Sequence, residues 1–231
     1  MRFCLFISFS GRTPLSEREA HRLEARLRAT PGLVRALVHT PANASDPFLD
    51  DGAPPILVLQ LYFDSLADLE TAAATDGSMG ALADGGEFPT LAAATAEHQA
   101  MAVRRYDVPA PRERGPGHPA YCTYLVAYEG PADDLNAWLG AYLAHHPRLM
   151  ASLPGVREVE VYTRVDWIGA LPWPRAHHMK RNKVAFDDPA ALNAALQSPI
   201  REEMRAHFRG LPPFSGRVTH FPMTTTVVPL T

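Results

Sequence analysis

One helical stretch carries an imidazole where its pattern asks for a hydrocarbon. With residues placed about 100° apart, Leu135, Trp138, Leu139, Tyr142, Leu143, His146, Leu149, Met150 and Leu153 fall on one stripe, His146 near its centre. Burying a polar group without a hydrogen-bond partner costs roughly 2–7 kcal/mol, so this imidazole needs a partner or a task. An unperturbed imidazole titrates near pH 6.5 and can accept or deliver a proton at neutrality. Tyr142, one turn earlier, can reach it or a substrate oxygen. His146 and Tyr142 are therefore the candidate catalytic pair, for proton transfer beside a carbonyl. Trp138 is a candidate wall of the same site, with core packing as the alternative for both aromatics.

A second group lies in the connection Asp166-Trp167-Ile168-Gly169-Ala170-Leu171-Pro172-Trp173-Pro174-Arg175-Ala176-His177-His178. Loops are normally polar, so Trp167 and Trp173 point to a lid over an aromatic ligand or to an interface. Adjacent His177 and His178 face opposite ways on an extended segment, and no His-x-x-x-His or Cys-x-x-Cys accompanies them, so no metal site is expected. Whether His146, His177 and His220 meet depends on the fold. No P-loop, dinucleotide fingerprint or nucleophile elbow is present.

The elements that must position these groups repeat. Pro31-Gly32-Leu33 recurs as Pro154-Gly155-Val156, and Phe63-Asp64 with Leu69 recurs as Phe186-Asp187 with Leu192, all at an offset of 123. Phe3-Cys4-Leu5-Phe6 resembles Tyr121-Cys122-Thr123-Tyr124 at 118, as if the second copy's first helix were longer. In the first half, apolar periodicity predicts strands over 3–9, 33–40, 56–63 and 101–108. Helices are expected over 16–30 and after Asp64 or Ser65. In the second half it predicts strands over 121–128, 156–167, 178–186 and 217–227, with helices over 132–153 and 189–208. The order is βαββαβ twice. This is an α+β reading: two tandem ferredoxin-like modules, 1–108 and 120–231, joined by a Pro/Gly-rich linker over 109–119. Their open sheet faces would meet as an internal pseudo-dimeric α+β barrel. Strand alternation puts Glu158, Glu160 and Tyr162 on one face and Arg181 and Lys183 on a neighbouring one. These opposed charges would pair in or beside the inter-module cavity, making Tyr162, Arg181 and Lys183 candidate substrate contacts; a solvated face is the alternative.

The spacing His146-x-x-Leu149-x-x-x-Leu153-Pro154-Gly155-Val156, with Tyr142 before it, resembles the helix-to-strand segment of the EthD-like family. Phe63-Asp64-Ser65-Leu66-Ala67-Asp68-Leu69, with Met79, Asp84 and Phe88 downstream, is similar to that family's second helix and loop. The resemblance implies the dimeric α+β barrel superfamily, whose members include isomerases, cyclases, lyases, monooxygenases and haem enzymes, so it does not name a reaction. The position matching His146 in the first half is Leu23, which predicts one site, built by the second half and covered by the first. The expected function is a cofactor-independent isomerase, lyase or cyclase acting on a small aromatic or lactone-like compound. A non-catalytic binding or oligomeric interaction protein is the alternative, and a haem-linked enzyme a further one.

Composition narrows the partners. A net charge of −3 and no long basic run argue against nucleic acid or an anionic membrane surface. No apolar run approaches a membrane span, and two cysteines exclude a disulfide scaffold. The expectation is a cytoplasmic protein without a cofactor, taking a small apolar oxygenated molecule and able to form a homodimer.

Overall fold

The computed structural model describes residues 1–44, 46, 49–112 and 117–230. The apolar runs become β1 (Phe3–Ser10), β2 (Leu33–Pro41), β3 (Leu57–Phe63), β4 (Thr95–Tyr106), β5 (Tyr121–Tyr128), β6 (Glu158–Arg164), β7 (Lys180–Phe186) and β8 (Val218–Val228). Every neighbouring pair is antiparallel, and the order β1-β3-β2-β8-β5-β7-β6-β4 closes into a barrel. Among the described residues six α-helices pack outside it: α1 (Glu17–Arg28), α2 (Leu66–Ala72), α3 (Pro89–Ala92), α4 (Leu135–Ala151), α5 (Pro189–Leu196) and α6 (Pro199–Arg209). Ser16 and Glu19 form the expected capping box, and Ser65 caps α2.

The halves meet through their edges as well as their faces. β2 hydrogen-bonds to β8 and β4 to β6, so the barrel has no free strand edge, and a homodimer would need another surface. Residues 113–116 of the expected linker lie outside the described residues. Among the described residues no helix is long and apolar enough to cross a membrane.

Several boundaries differ from the sequence reading, each for a physical reason. β4 begins at Thr95 rather than 101, because its first residues pair with β1 and its last with β6. β6 stops at Arg164, and the residues after it cross to the other half. The helix expected over 189–208 is two helices, broken at Gln197 and Ser198, because Pro199 has no N–H to continue the ladder and instead starts α6. α4 is longer than α1, 17 residues against 12, and both end 123 residues apart before a glycine at positive φ, Gly32 and Gly155. The strand match at offset 118 is out of register by one. Leu5 pairs with Leu61 and Tyr124 with Val184, so Leu5 corresponds to Tyr124 and Cys4 to Thr123. Because side chains alternate, that slip reverses the face: Cys4 points into the barrel, while Cys122 packs under the helices.

The core has three parts. One cluster lies between helices and sheet in each half, and the third fills the lumen around Phe6, Tyr62, Met101 and Tyr162. The β2–β3 loop (42–56) and the β6–β7 loop (165–179) each cross to the other half. The second of these inserts Leu171, with Trp167 and Trp173, against the first-half cluster. The first brings Ala42 and Ala44 against the second-half cluster.

Candidate functional site

The crossed loops leave the two halves unequal. In the first, Leu23 and the Trp loop belong to a packed core. In the second, a cavity of about 420 Å³ stays open between α4, α6 and the sheet, within the range of small-molecule sites. Its walls include Met150, Leu153, Phe186 and Leu196, with Leu49 from the crossing loop. Its polar groups include His146, Asn182, Arg201 and His220, with Arg205 and Arg209 also on the lining.

His146 is buried on this cavity at 4% exposure, its ring stacked on Tyr142 at 4.6 Å. His146 Nδ1 lies 3.2 Å from Nδ1 of His207 on α6, one ring donating and the other accepting. Burial, and then the nearby Lys180, His207, Arg201 and His220, push its pKa down to about 2. It is therefore a neutral hydrogen-bonding group at pH 7, not the near-neutral titrating base its sequence suggested.

Tyr142 lies one layer deeper and is fully buried. Its hydroxyl accepts from Asn182 Nδ2 at 2.7 Å, and Asn182 Oδ1 accepts from Lys180 Nζ at 3.0 Å. Lys180 Nζ also sits 3.7 Å from the Tyr128 ring centre and 3.4 Å from that of Tyr142, while burial holds its pKa well below that of a free lysine. Trp138 stacks behind Tyr142 at 5.1 Å. Tyr142 and Trp138 thus support His146 and Asn182 from behind the cavity wall.

The sequence named His220 only as a histidine that could meet His146, and Asp51, Arg201 and Asp46 escaped it. His220 Nδ1 donates to Asp51 Oδ2 at 2.8 Å, and the same oxygen accepts the His220 backbone N–H. With Nδ1 so held, Nε2 is the nitrogen left for a ligand. Burial lowers the His220 pKa and Asp51 partly offsets this, so the ring is neutral and has a carboxylate to stabilise its protonated form. Arg201, 8% exposed, donates from Nη2 to Asp46 Oδ2 at 2.9 Å, and Tyr124 donates its hydroxyl to that oxygen at 2.5 Å. Asp46 and Asp51 come from the crossing loop, so no pattern local to the second half could place them here. Pro199 was the available signal for Arg201, since it turns α6 across the cavity.

The other expected contacts lie elsewhere. Tyr162 and Lys183 face the barrel lumen: Lys183 Nζ is 2.8 Å from Glu160 Oε2 and 3.1 Å from Glu158 Oε2, and it donates to Tyr62 OH at 2.9 Å. Tyr62 and Tyr162 each donate a hydroxyl to Glu160 Oε2, and Arg35 pairs with Glu158 at 2.9 Å. The charged strand faces therefore turn inward and pair. Arg181 lies at one lumen mouth, on Glu97 at 3.2 Å. Trp167 and Trp173 seal the first-half core, Trp173 edge-on to Phe9 at 5.2 Å, with the Arg175 guanidinium 4.3 Å over Trp167. His177 is exposed. Among the described residues no group of three or more His, Cys, Asp or Glu side chains is placed to hold a metal ion.

Buried neutral histidines make stability fall with acid. His146 and the lumen's His39 have pKa values lowered to about 2 and about 3, chiefly by burial. Below about pH 6.5 the unfolded chain binds protons that the native state refuses, so each histidine removes up to about 1.4 kcal/mol per pH unit. Denaturant midpoints should already fall between pH 6.5 and 4.5, and His39→Gln should flatten that slope. A wild-type midpoint constant over this window would contradict both burials.

No family model and no curated protein matches this chain. Solved structures do. The chain is similar to an anthrone oxidase-like protein at 16% identity and a TM-score of 0.66, covering 98% of this chain and 93% of that one. A candidate monooxygenase from Fusobacterium nucleatum subsp. nucleatum gives 7% identity and a TM-score of 0.60, covering 99% and 94%. An EthD family protein from Bacillus halodurans, at 20% identity and a TM-score of 0.34, spans 43% of this chain and 96% of its own. That partial match does not single out the EthD-like family. At such identities the likeness is one of fold, which the chain shares with the first two of these structures.

Proposed function

We propose that the second-half cavity binds a small, mainly apolar, oxygenated compound and moves a proton on a carbon beside its carbonyl, without a cofactor. The reading takes the chain as two ferredoxin-like modules, 1–108 and 120–231, the first supplying the covering loop. The observation that carries it is the His220–Asp51 pair at a cavity that also holds neutral His146 and Arg201. His220 Nε2 takes the proton while Asp51 holds Nδ1–H and stabilises the imidazolium. Arg201 and His146 are the groups for the oxygen on which negative charge develops, the Arg201 guanidinium supplying the positive charge. An aromatic ketone such as anthrone suits the vinylogous form of this chemistry, since its carbonyl acidifies the C10 methylene through the flanking rings, consistent with the fold's likeness to an anthrone oxidase-like protein. Isomerisation, elimination and cyclisation all begin with the same step.

The test is hydrogen–deuterium exchange, by NMR in D₂O, at the C10 methylene of anthrone and at the carbon beside the carbonyl of simple unsaturated lactones. Exchange above the buffer rate that disappears in His220→Ala supports the proposal. Oxygen uptake in the same tube then separates an oxidase from an isomerase or lyase. Tight binding of a probe with exchange at the buffer rate would make this a binding protein and overturn the catalytic reading.

A further inference from the structure

We propose that one end of the barrel lumen is a second small-molecule site, selective for a neutral, flat, oxygen-bearing compound and separate from the His146 cavity. The lumen is not filled evenly. Towards one end it is closed by a polar layer in which Lys183, Glu160, Tyr62, Tyr162, Gln60 and His39 bond to one another. The Gln60 amide donates to Tyr162 OH within that layer, and the Phe6 ring stands edge-on to Tyr162 at 4.9 Å. On the other side of Phe6 a cavity of about 400 Å³ opens to the surface. Its apolar walls include Phe6, Val58, Leu125, Phe221 and Met223, all on strands of the closed barrel, with Pro55 and Pro174 added from the crossing loops. A site walled by hydrogen-bonded strands needs little ordering when it binds.

The charges at the rim select for a neutral compound over an anion. Arg181, 8% exposed, spends its charge on Glu97, which also takes His178 Nε2 at 3.1 Å. Burial lowers the His178 pKa, so that ring adds no charge at pH 7. Glu129 lines the same opening. An anion would therefore meet two carboxylates against one guanidinium already committed. A neutral molecule avoids that cost and can use the hydroxyls of Ser8, Ser10 and Thr219 for its oxygen. The Arg181 guanidinium lies 5.0 Å over the Phe6 ring, so the polar and aromatic walls adjoin, which favours a flat aromatic body. Burial of such a body between Phe6 and Phe221 supplies the driving force.

This inference does not rest on the proposed catalytic function, and its test keeps the two apart. The probes are 2-naphthol and 2-naphthoate, one ring system in neutral and anionic form, titrated into the ¹⁵N-labelled full chain. Amides of Ser8, Ala127 and Phe221 report the lumen, and those of Met150 and Leu153 the other cavity. Val126 and Asn182 border both cavities and are not used. The expected result is saturable shifts at the lumen amides with 2-naphthol and none with 2-naphthoate. Those shifts should persist in Leu196→Trp, which fills the other cavity, and weaken at least about tenfold in Val58→Trp, which fills the lumen. Unmoved lumen amides, equal response to the anion, or undiminished binding in a folded Val58→Trp would each overturn the proposal. Should Val58→Trp not fold, the wild-type shift map and the comparison of the two probes decide it alone.

Discussion

Replacing Lys183 with alanine is expected to lower unfolding free energy by about 3–5 kcal/mol, the usual effect of removing one partner from a buried ion pair. Lys183 is fully buried, and burial alone would lower its pKa, yet Glu158 and Glu160 outweigh that and raise it. Glu158, held by Lys183 and Arg35 against its own burial, has its pKa pushed down. Loss of the ammonium leaves Glu158 with Arg35 but Glu160 with only the hydroxyls of Tyr62 and Tyr162. Adding Glu160→Gln to Lys183→Ala should therefore recover part of the loss, which a double-mutant cycle in urea measures. A single-mutant loss below about 1 kcal/mol, the size seen for exposed pairs, would show that water reaches the lumen layer.

This layer can pair opposite charges because the two halves of the chain differ. Arg35 and Glu158 occupy corresponding register positions, opposite Tyr62 and Ala185, and they pair with each other. In a dimer of identical modules the same two positions would carry one residue type, Arg facing Arg or Glu facing Glu. Only a chain with unlike halves can place opposite charges there. The pairing then favours this one arrangement of the halves over a homodimeric one.

His220→Ala is expected to slow proton transfer on a cavity ligand by about 10²–10⁴-fold, the range for loss of a general base. Asp51→Asn should also reduce the rate, because the imidazolium loses its carboxylate partner. The pH profile separates a proton acceptor from a residue that only supports the fold. In wild type the rate should fall as acid protonates His220, at a pH below the ordinary 6.5, and stay level above it. Asp51 raises the His220 pKa, so Asp51→Asn should move this acid limb to still lower pH. His146→Ala should weaken binding and leave the position of the limb nearly unchanged, since His146 at about 2 does not titrate there. An acid limb that vanished in His146→Ala but persisted in His220→Ala would reverse the two roles.

The alternation of Val159 and Val161 with Glu158, Glu160 and Tyr162 was enough to assign the faces of β6, and the 100° stripe was enough to bury His146. Such assignments need only the local geometry of strand and helix, written in residue order with periods of about 2.0 and 3.6. The offset of 123 likewise foretold matching helix ends at Gly32 and Gly155, and the exchange of His146 for Leu23 foretold unequal halves. The one-residue slip between Cys4 and Cys122 marks where similarity of letters ceases to be information, because it takes hydrogen-bond register to say which face a side chain occupies. What tertiary structure alone decided is the composition of the site. His220 meets Asp51, and Arg201 meets Asp46, across separations of 169 and 155 residues, through a loop that leaves one half to cover the other. The same packing determined that Trp167 and Trp173 lie against the first-half core, and that His146 is uncharged at pH 7. Burial and distant charges set both outcomes, and neither is a property of the residues adjacent in sequence.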